Sequence, residues 1–111
     1  MLYEDIDAKQ LFNWLSGENP PYLIDVRTPE EMAQASIDGA VPMPLTVLPL
    51  RTQDVPKDRD VVFYCRSGAR SGQACMFMRQ HGYKRLYNLR GGIISWVQHG
   101  YPVVPLVARA S

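Results

Sequence analysis

Apolar and polar positions change period several times along the chain. Ala8, Leu11, Phe12 and Leu15 recur at helical spacing, so a helix is expected from Asp7 to Ser16, with Gly17 placed to end it. Asn19-Pro20-Pro21 resets the chain, and Tyr22–Arg27 then reads as a short buried strand. Thr28 suits a helix N-cap, Pro29 the first helical position and Glu31 the carboxylate of a capping box. A short helix should run to about Ala35, followed by a turn at Asp38-Gly39. Ala40–Met43 reads as a brief edge strand, because Pro42 has no amide to give to a central ladder. A loose helix with Pro49 in its first turn is expected from Thr46 to Asp54.

Asp60–Cys65 is the clearest strand. The loop Arg66–Arg70 follows it, then a helix from Ser71 to His81 that Gly82 closes. Leu86–Leu89 reads as the last strand, and Gly91-Gly92 opens a final helix that ends at Gly100. Alternating strands and helices imply an α/β domain with a mainly parallel sheet and helices on both faces.

Composition narrows the function without naming it. With 111 residues, 46% of them hydrophobic and 21% charged, one domain with its own core is expected over the whole chain. The formal net charge of +1 offers no reason to expect nucleic acid or a membrane as partner. Cys65 and Cys75 are too few for a disulfide framework, and His81 and His99 are too isolated to form a metal site with them. The acidic start Met1–Asp7 does not read as a signal peptide, and no apolar run approaches the ~20 residues that span a bilayer. A cytoplasmic protein with reduced thiols is the expectation.

Cys65 stands out by its place. Ligands of open α/β sheets bind at the carboxyl ends of the strands, and Cys65 ends the most apolar one. A tight loop entering a helix turns its amides inward, and Gly68 permits the required backbone. Those donors, the helix dipole and the charges of Arg66 and Arg70 favour a thiolate, and can bring a thiol pKa from ~8.5 into the range ~3.5–7.5. Packing alone does not call for two arginines, a serine and a glycine beside a cysteine. Cys75 differs: within an apolar helical stretch it reads as a small core residue. A second, chemical role beside Cys65 stays open for it. His81 and His99 read as partners of helix C-termini, Trp14 and Trp96 as core residues, and Asp58-Arg59-Asp60 as a solvated turn.

Three segments carry a resemblance. They are Leu23-Ile-Asp-Val-Arg-Thr-Pro-Glu-Glu31, Cys65-Arg-Ser-Gly-Ala-Arg-Ser71 and Asn88-Leu-Arg-Gly-Gly-Ile-Ile-Ser-Trp96, the last followed by Gly100-Tyr-Pro-Val103. In their order and spacing the chain resembles a single-domain rhodanese, or sulfurtransferase, over about 3–104, leaving a short tail at 105–111. The resemblance implies a five-stranded, mainly parallel sheet with helices on both faces. It also implies that Cys65 takes a sulfane sulfur from a donor such as thiosulfate, holds it as a persulfide and passes it to a thiol or to cyanide, without a cofactor. Arg66, Ser67, Gly68, Ala69, Arg70 and Ser71 would form the loop that binds substrate and persulfide. Asp25 and Arg27 would brace that loop from the next strand, and Arg90, Gly91 and Gly92 would line the mouth. Where the family commonly has His-Ile-Pro-Gly-Ala, this chain has Ser36-Ile-Asp-Gly-Ala40, so Ser36 and Asp38 replace its histidine and proline.

Three rivals remain. A cysteine phosphatase or arsenate reductase of the related fold has one more residue between its cysteine and arginine than the four that separate Cys65 from Arg70. A non-catalytic module would not need the cysteine. A sulfur relay that exchanges persulfide with a small sulfur-carrier protein would keep it.

Overall fold

The computed structural model describes residues 3–105; expectations for 1–2 and for the tail beyond Pro105 lie outside the described residues. Five strands, β1 (Glu4–Ile6), β2 (Tyr22–Asp25), β3 (Val41–Pro42), β4 (Val61–Tyr64) and β5 (Leu86–Leu89), form one parallel sheet in the order β1-β5-β4-β2-β3. Four helices connect and cover it: α1 (Ala8–Leu15), α2 (Pro29–Gln34), α3 (Ala69–Gln80) and α4 (Gly92–Gln98).

Side-chain alternation along the strands explains the two layers. Ile24, Val26, Val61, Phe63, Cys65 and Leu86 face one side, where Ala74, Cys75 and Met78 of α3 cover them. Leu23, Val62, Tyr64 and Leu89 face the other, against Ala8 and Leu11 of α1 and Ile93 and Trp96 of α4. All four residues of β4 are buried, as a central strand covered on both faces requires.

The predicted caps form. Thr28 accepts from the Glu31 amide and Glu31 answers to the Thr28 amide, with Pro29 in the first turn of α2. Asp7 and Gln10 make the same box at α1. Pro42 lies on the edge strand β3.

Several elements differ from the sequence reading: β2 stops at Asp25 rather than Arg27 and β3 shrinks to Val41–Pro42. β1 does not show as a strand in the pattern of this sequence, because it is a three-residue edge with two exposed acidic residues. The expected helix over 46–54 is two 3₁₀ turns, Leu48–Leu50 and Thr52–Asp54, since no apolar face long enough for a full helix exists there. β4 stops at Tyr64, so Cys65 is the first residue beyond the strand rather than its last. α3 begins at Ala69, two residues earlier than expected, because Gly68 at φ +108° caps it in a left-handed conformation. Arg70 and Ser71 therefore sit in the first helical turn.

Candidate active site

Cys65 lies at the floor of the turn between β4 and α3, with 1% of its surface exposed. The Gly68 amide donates to its Sγ at 3.1 Å. The Ser71 hydroxyl approaches the same atom at 3.3 Å. Burial pushes the thiol up, but the Ser71 hydroxyl and the amides of Ser71, Gly68 and Ser67 outweigh it and hold Cys65 below its ordinary value. A buried sulfur surrounded by donors is built to carry negative charge. Cys75 has the opposite setting: fully buried, with Asp5 nearby, its thiol is driven far above the ordinary range, and it donates to the Tyr87 carbonyl at 3.4 Å. The two cysteines are thus separated by electrostatics.

Neighbouring elements fix the turn. Gly92 packs directly on it, so that a Cβ there would stand 2.3 Å from the Arg66 carbonyl oxygen and 2.6 Å from that of Cys65. This close approach lets the first turn of α4 bind the loop: the Ile93 amide donates to Cys65 O at 3.0 Å and the Ile94 amide to Arg66 O at 3.2 Å. Gly91 caps α4, and a Cβ on Gly68 would meet its amide nitrogen at 3.5 Å. The pair supports the loop from beneath. The side chain of Arg90 is exposed, and its amide is used by Ile6 O.

Arg70 is already engaged. Its guanidinium grips both oxygens of Glu31 at 2.7 and 2.9 Å, and this pairing holds the Glu31 carboxyl down at about 2. Its charge is therefore shared with α2, and Glu31 is a member of the site that the sequence reading placed only in a helix cap. Arg66 is exposed, and among the described residues it has no ion pair. It borders a groove of about 340 Å³ floored by Ile93, Ile94 and Val97. Ser67 and Ala69 are exposed at the loop surface.

Asp25 and Arg27 form a buried ion pair at 2.7 Å. Arg27 also donates to Ala35 O at 2.6 Å and lies 5.5 Å from the centre of the Tyr64 ring. They fasten the end of α2 to the residue before Cys65, and among the described residues neither side chain hydrogen-bonds to the Cys65 loop. Ser36 is buried, donates to Met32 O at 2.9 Å and pairs with Val104 in an isolated antiparallel bridge. Asp38 is exposed.

One more residue belongs here. Asn88 lies in the otherwise apolar β5, buried, and reaches Ser71, Gly68 and Asp5. In the sequence it passes for an ordinary strand residue. Its signal was strand parity: two positions from Leu86, it must face the α3 side with Cys65.

Comparison with known proteins settles the family. A model of the rhodanese-like domain matches residues 7–99. The chain belongs to that family. A sulfurtransferase from Allochromatium vinosum is 50% identical to this rhodanese-like chain over 103 residues, covering 93% of it and 96% of the relative. The putative sulfurtransferase YtwF of Bacillus subtilis is 34% identical over 86% of the chain and 92% of its own length. Among solved structures, a rhodanese-related protein from Thermoplasma volcanium superposes with a TM-score of 0.82 at 31% identity, over 92% of this chain and 98% of that one. Sulfur transfer, in the broad sense, is the chemistry of this rhodanese-like protein. Among the described residues, no cluster of side chains could hold a metal and no helix is long and apolar enough to cross a membrane.

Proposed function

We propose that the protein moves a sulfane sulfur from an anionic donor such as thiosulfate to a thiol acceptor, through a persulfide on Cys65. The single observation that carries this reading is the sulfur atom of Cys65 held between the Gly68 amide and the Ser71 hydroxyl. A thiolate so held needs no general base.

The Cys65 thiolate attacks the outer sulfur of thiosulfate. A sulfur–sulfur bond forms to Sγ, the donor's own sulfur–sulfur bond breaks, and its electron pair leaves with sulfite. An acceptor thiolate, or cyanide in an assay, then attacks the outer sulfur of the persulfide, and the electron pair returns to Sγ. Arg66, exposed at the rim, meets the sulfonate end of the donor. Arg70, neutralised by Glu31, shapes the loop more than it attracts the donor. That division separates two arginines that the resemblance places together in the substrate-binding loop.

The experiment is mass spectrometry after thiosulfate treatment. Wild type should gain the mass of one sulfur atom and lose it to cyanide, and Cys65→Ser should gain none. A gain in Cys65→Ser, or none in wild type, overturns the reading.

A second reading, a relay that trades persulfide with a sulfur-carrier protein, draws on the groove beside Arg66. Its floor is apolar and Val97 is 52% exposed, which suits a protein surface better than a small anion. Faster exchange with a carrier protein than with thiosulfate would favour the relay. Activity on an aryl phosphate would instead favour a phosphatase.

A further inference from the structure

Ser71 has one hydroxyl proton and two acceptors within reach. Its Oγ lies 3.3 Å from Cys65 Sγ and makes a short hydrogen bond to Asn88 Oδ1. The orientation of the Asn88 amide follows from its other contacts. Its Nδ2 stands 3.2 Å from Asp5 Oδ1 and 3.2 Å from Gly68 O. Turning the amide over would set Oδ1 against a carboxylate and a carbonyl, so Oδ1 must face Ser71. Ser71 and Asn88 are buried, at 0% and 6% exposure, and among the described residues Ser71 is the one donor to Oδ1. An acceptor left without its donor there is costly.

From this geometry we infer that Asn88 is a positioning residue, which competes with Cys65 for the Ser71 proton and so governs how readily the nucleophile ionises. The inference rests on Cys65 being the nucleophile. When Cys65 is a neutral thiol, its S–H donates to Ser71 Oγ and the Ser71 O–H donates to Asn88. When Cys65 ionises, the Ser71 proton turns to the sulfur and Asn88 Oδ1 is stripped. When Cys65 carries a second sulfur, the negative charge moves to the outer atom, Sγ becomes a poor acceptor and the proton returns to Asn88. Asn88 therefore disfavours the bare thiolate relative to both the thiol and the loaded persulfide. Asp5 holds the amide the right way round from β1, the neighbouring strand, where it is the register partner of Asn88.

The titratable and charged groups around the sulfur are Arg66, Arg70 and Cys75 on the loop and α3, Glu31 on α2, Asp25 and Arg27 at the end of β2, Tyr64 on β4, and Tyr3 and Asp5 at β1. Substitution at Asn88 removes none of them; Asp5 loses the Nδ2 donor, and a less satisfied carboxylate on that side would disfavour the thiolate, opposite to the expected change.

The test is the pH titration of thiolate ultraviolet absorbance, taken as the difference from the same protein carrying Cys65→Ser. It reads the thiol whether or not sulfur is transferred, so it separates this inference from the proposed reaction. In Asn88→Ala, and in Asn88→Leu of nearly the same shape, the Cys65 midpoint should fall by about one pH unit, the worth of one hydrogen bond. A merely structural role predicts the reverse, because a loosened Gly68 amide would stabilise the thiolate less. In a Ser71→Ala background the same changes at Asn88 should leave the midpoint within a few tenths of a unit. As a second measurement, about tenfold less sulfite should unload half of the persulfide in Asn88→Ala than in wild type. A midpoint that stays or rises in whichever Asn88 variant folds, or an Asn88 effect that persists without the Ser71 hydroxyl, overturns the inference.

Discussion

Gly92 is the point at which a single methyl group should do most damage. An alanine Cβ there would stand 2.3 Å from Arg66 O, 2.4 Å from Arg66 C and 2.6 Å from Cys65 O. All three are backbone atoms, which no rotamer change can move aside. The residue also sits at φ +59°, where an L side chain is strained by ~1 kcal/mol. Over-packing of this kind costs ~1–3 kcal/mol. If α4 backs away, the Ile93 and Ile94 bonds to the loop weaken, at ~1 kcal/mol each. Gly92→Ala should therefore lose about 3–5 kcal/mol, a large part of the ~5–15 kcal/mol that holds a small domain. The assay is urea unfolding followed by tryptophan fluorescence. Gly39→Ala is the control: its φ is +84° but a Cβ there meets nothing within 4 Å, so only ~1 kcal/mol should be lost. If the two variants unfold within ~1 kcal/mol of each other, the packing argument fails.

Other outcomes follow from the same contacts. Glu31→Gln keeps the helix cap but gives up the Arg70 pair; because both side chains are partly exposed, the loss at pH 7 should be only ~1 kcal/mol. The Glu31 carboxyl is lowered to about 2 in the fold, so the pair stabilises at pH values above the ordinary carboxylate range. The difference between wild type and Glu31→Gln should close as pH falls from about 4.5 to about 2, and urea midpoints across that range check it. Asp25→Ala leaves Arg27 buried without its partner and should cost ~3–5 kcal/mol by the same unfolding assay. Cys65→Ser retains only Cys75, whose thiol is pushed far up, so it should show no thiolate absorbance up to about pH 10. Absorbance appearing near neutrality would give Cys75 a chemical role.

Much of this was legible in the sequence because it is local. The Thr28-Pro29-Glu31 cap, the glycine that closes α3, the glycines that open α4 and the proline on the edge strand each depend on neighbours within a few positions. So does the cysteine loop, which the sequence motif outlines before the fold is known. What was hidden depends on distant pairings. Arg70 and Glu31 are 39 residues apart, and only the packing of α2 beside the loop brings them together. Asn88 lies 17 residues from Ser71 and 83 from Asp5. β1 was hidden for another reason: three residues with two exposed acids carry no readable period. The start of α3 was misplaced because Gly68 both turns the chain and caps the helix.

The sheet order also bears on how the protein fails. β4 is the middle strand, hydrogen-bonded on both sides and buried throughout, and the Cys65 thiol hangs from its end. Amides in such a strand exchange with solvent only when the whole domain opens, whereas those of β1 and β3 at the margins exchange through local fraying. Heating should thus inactivate the thiol together with global unfolding and not before it. Retained reactivity of Cys65 becomes a built-in gauge of whether the domain is intact.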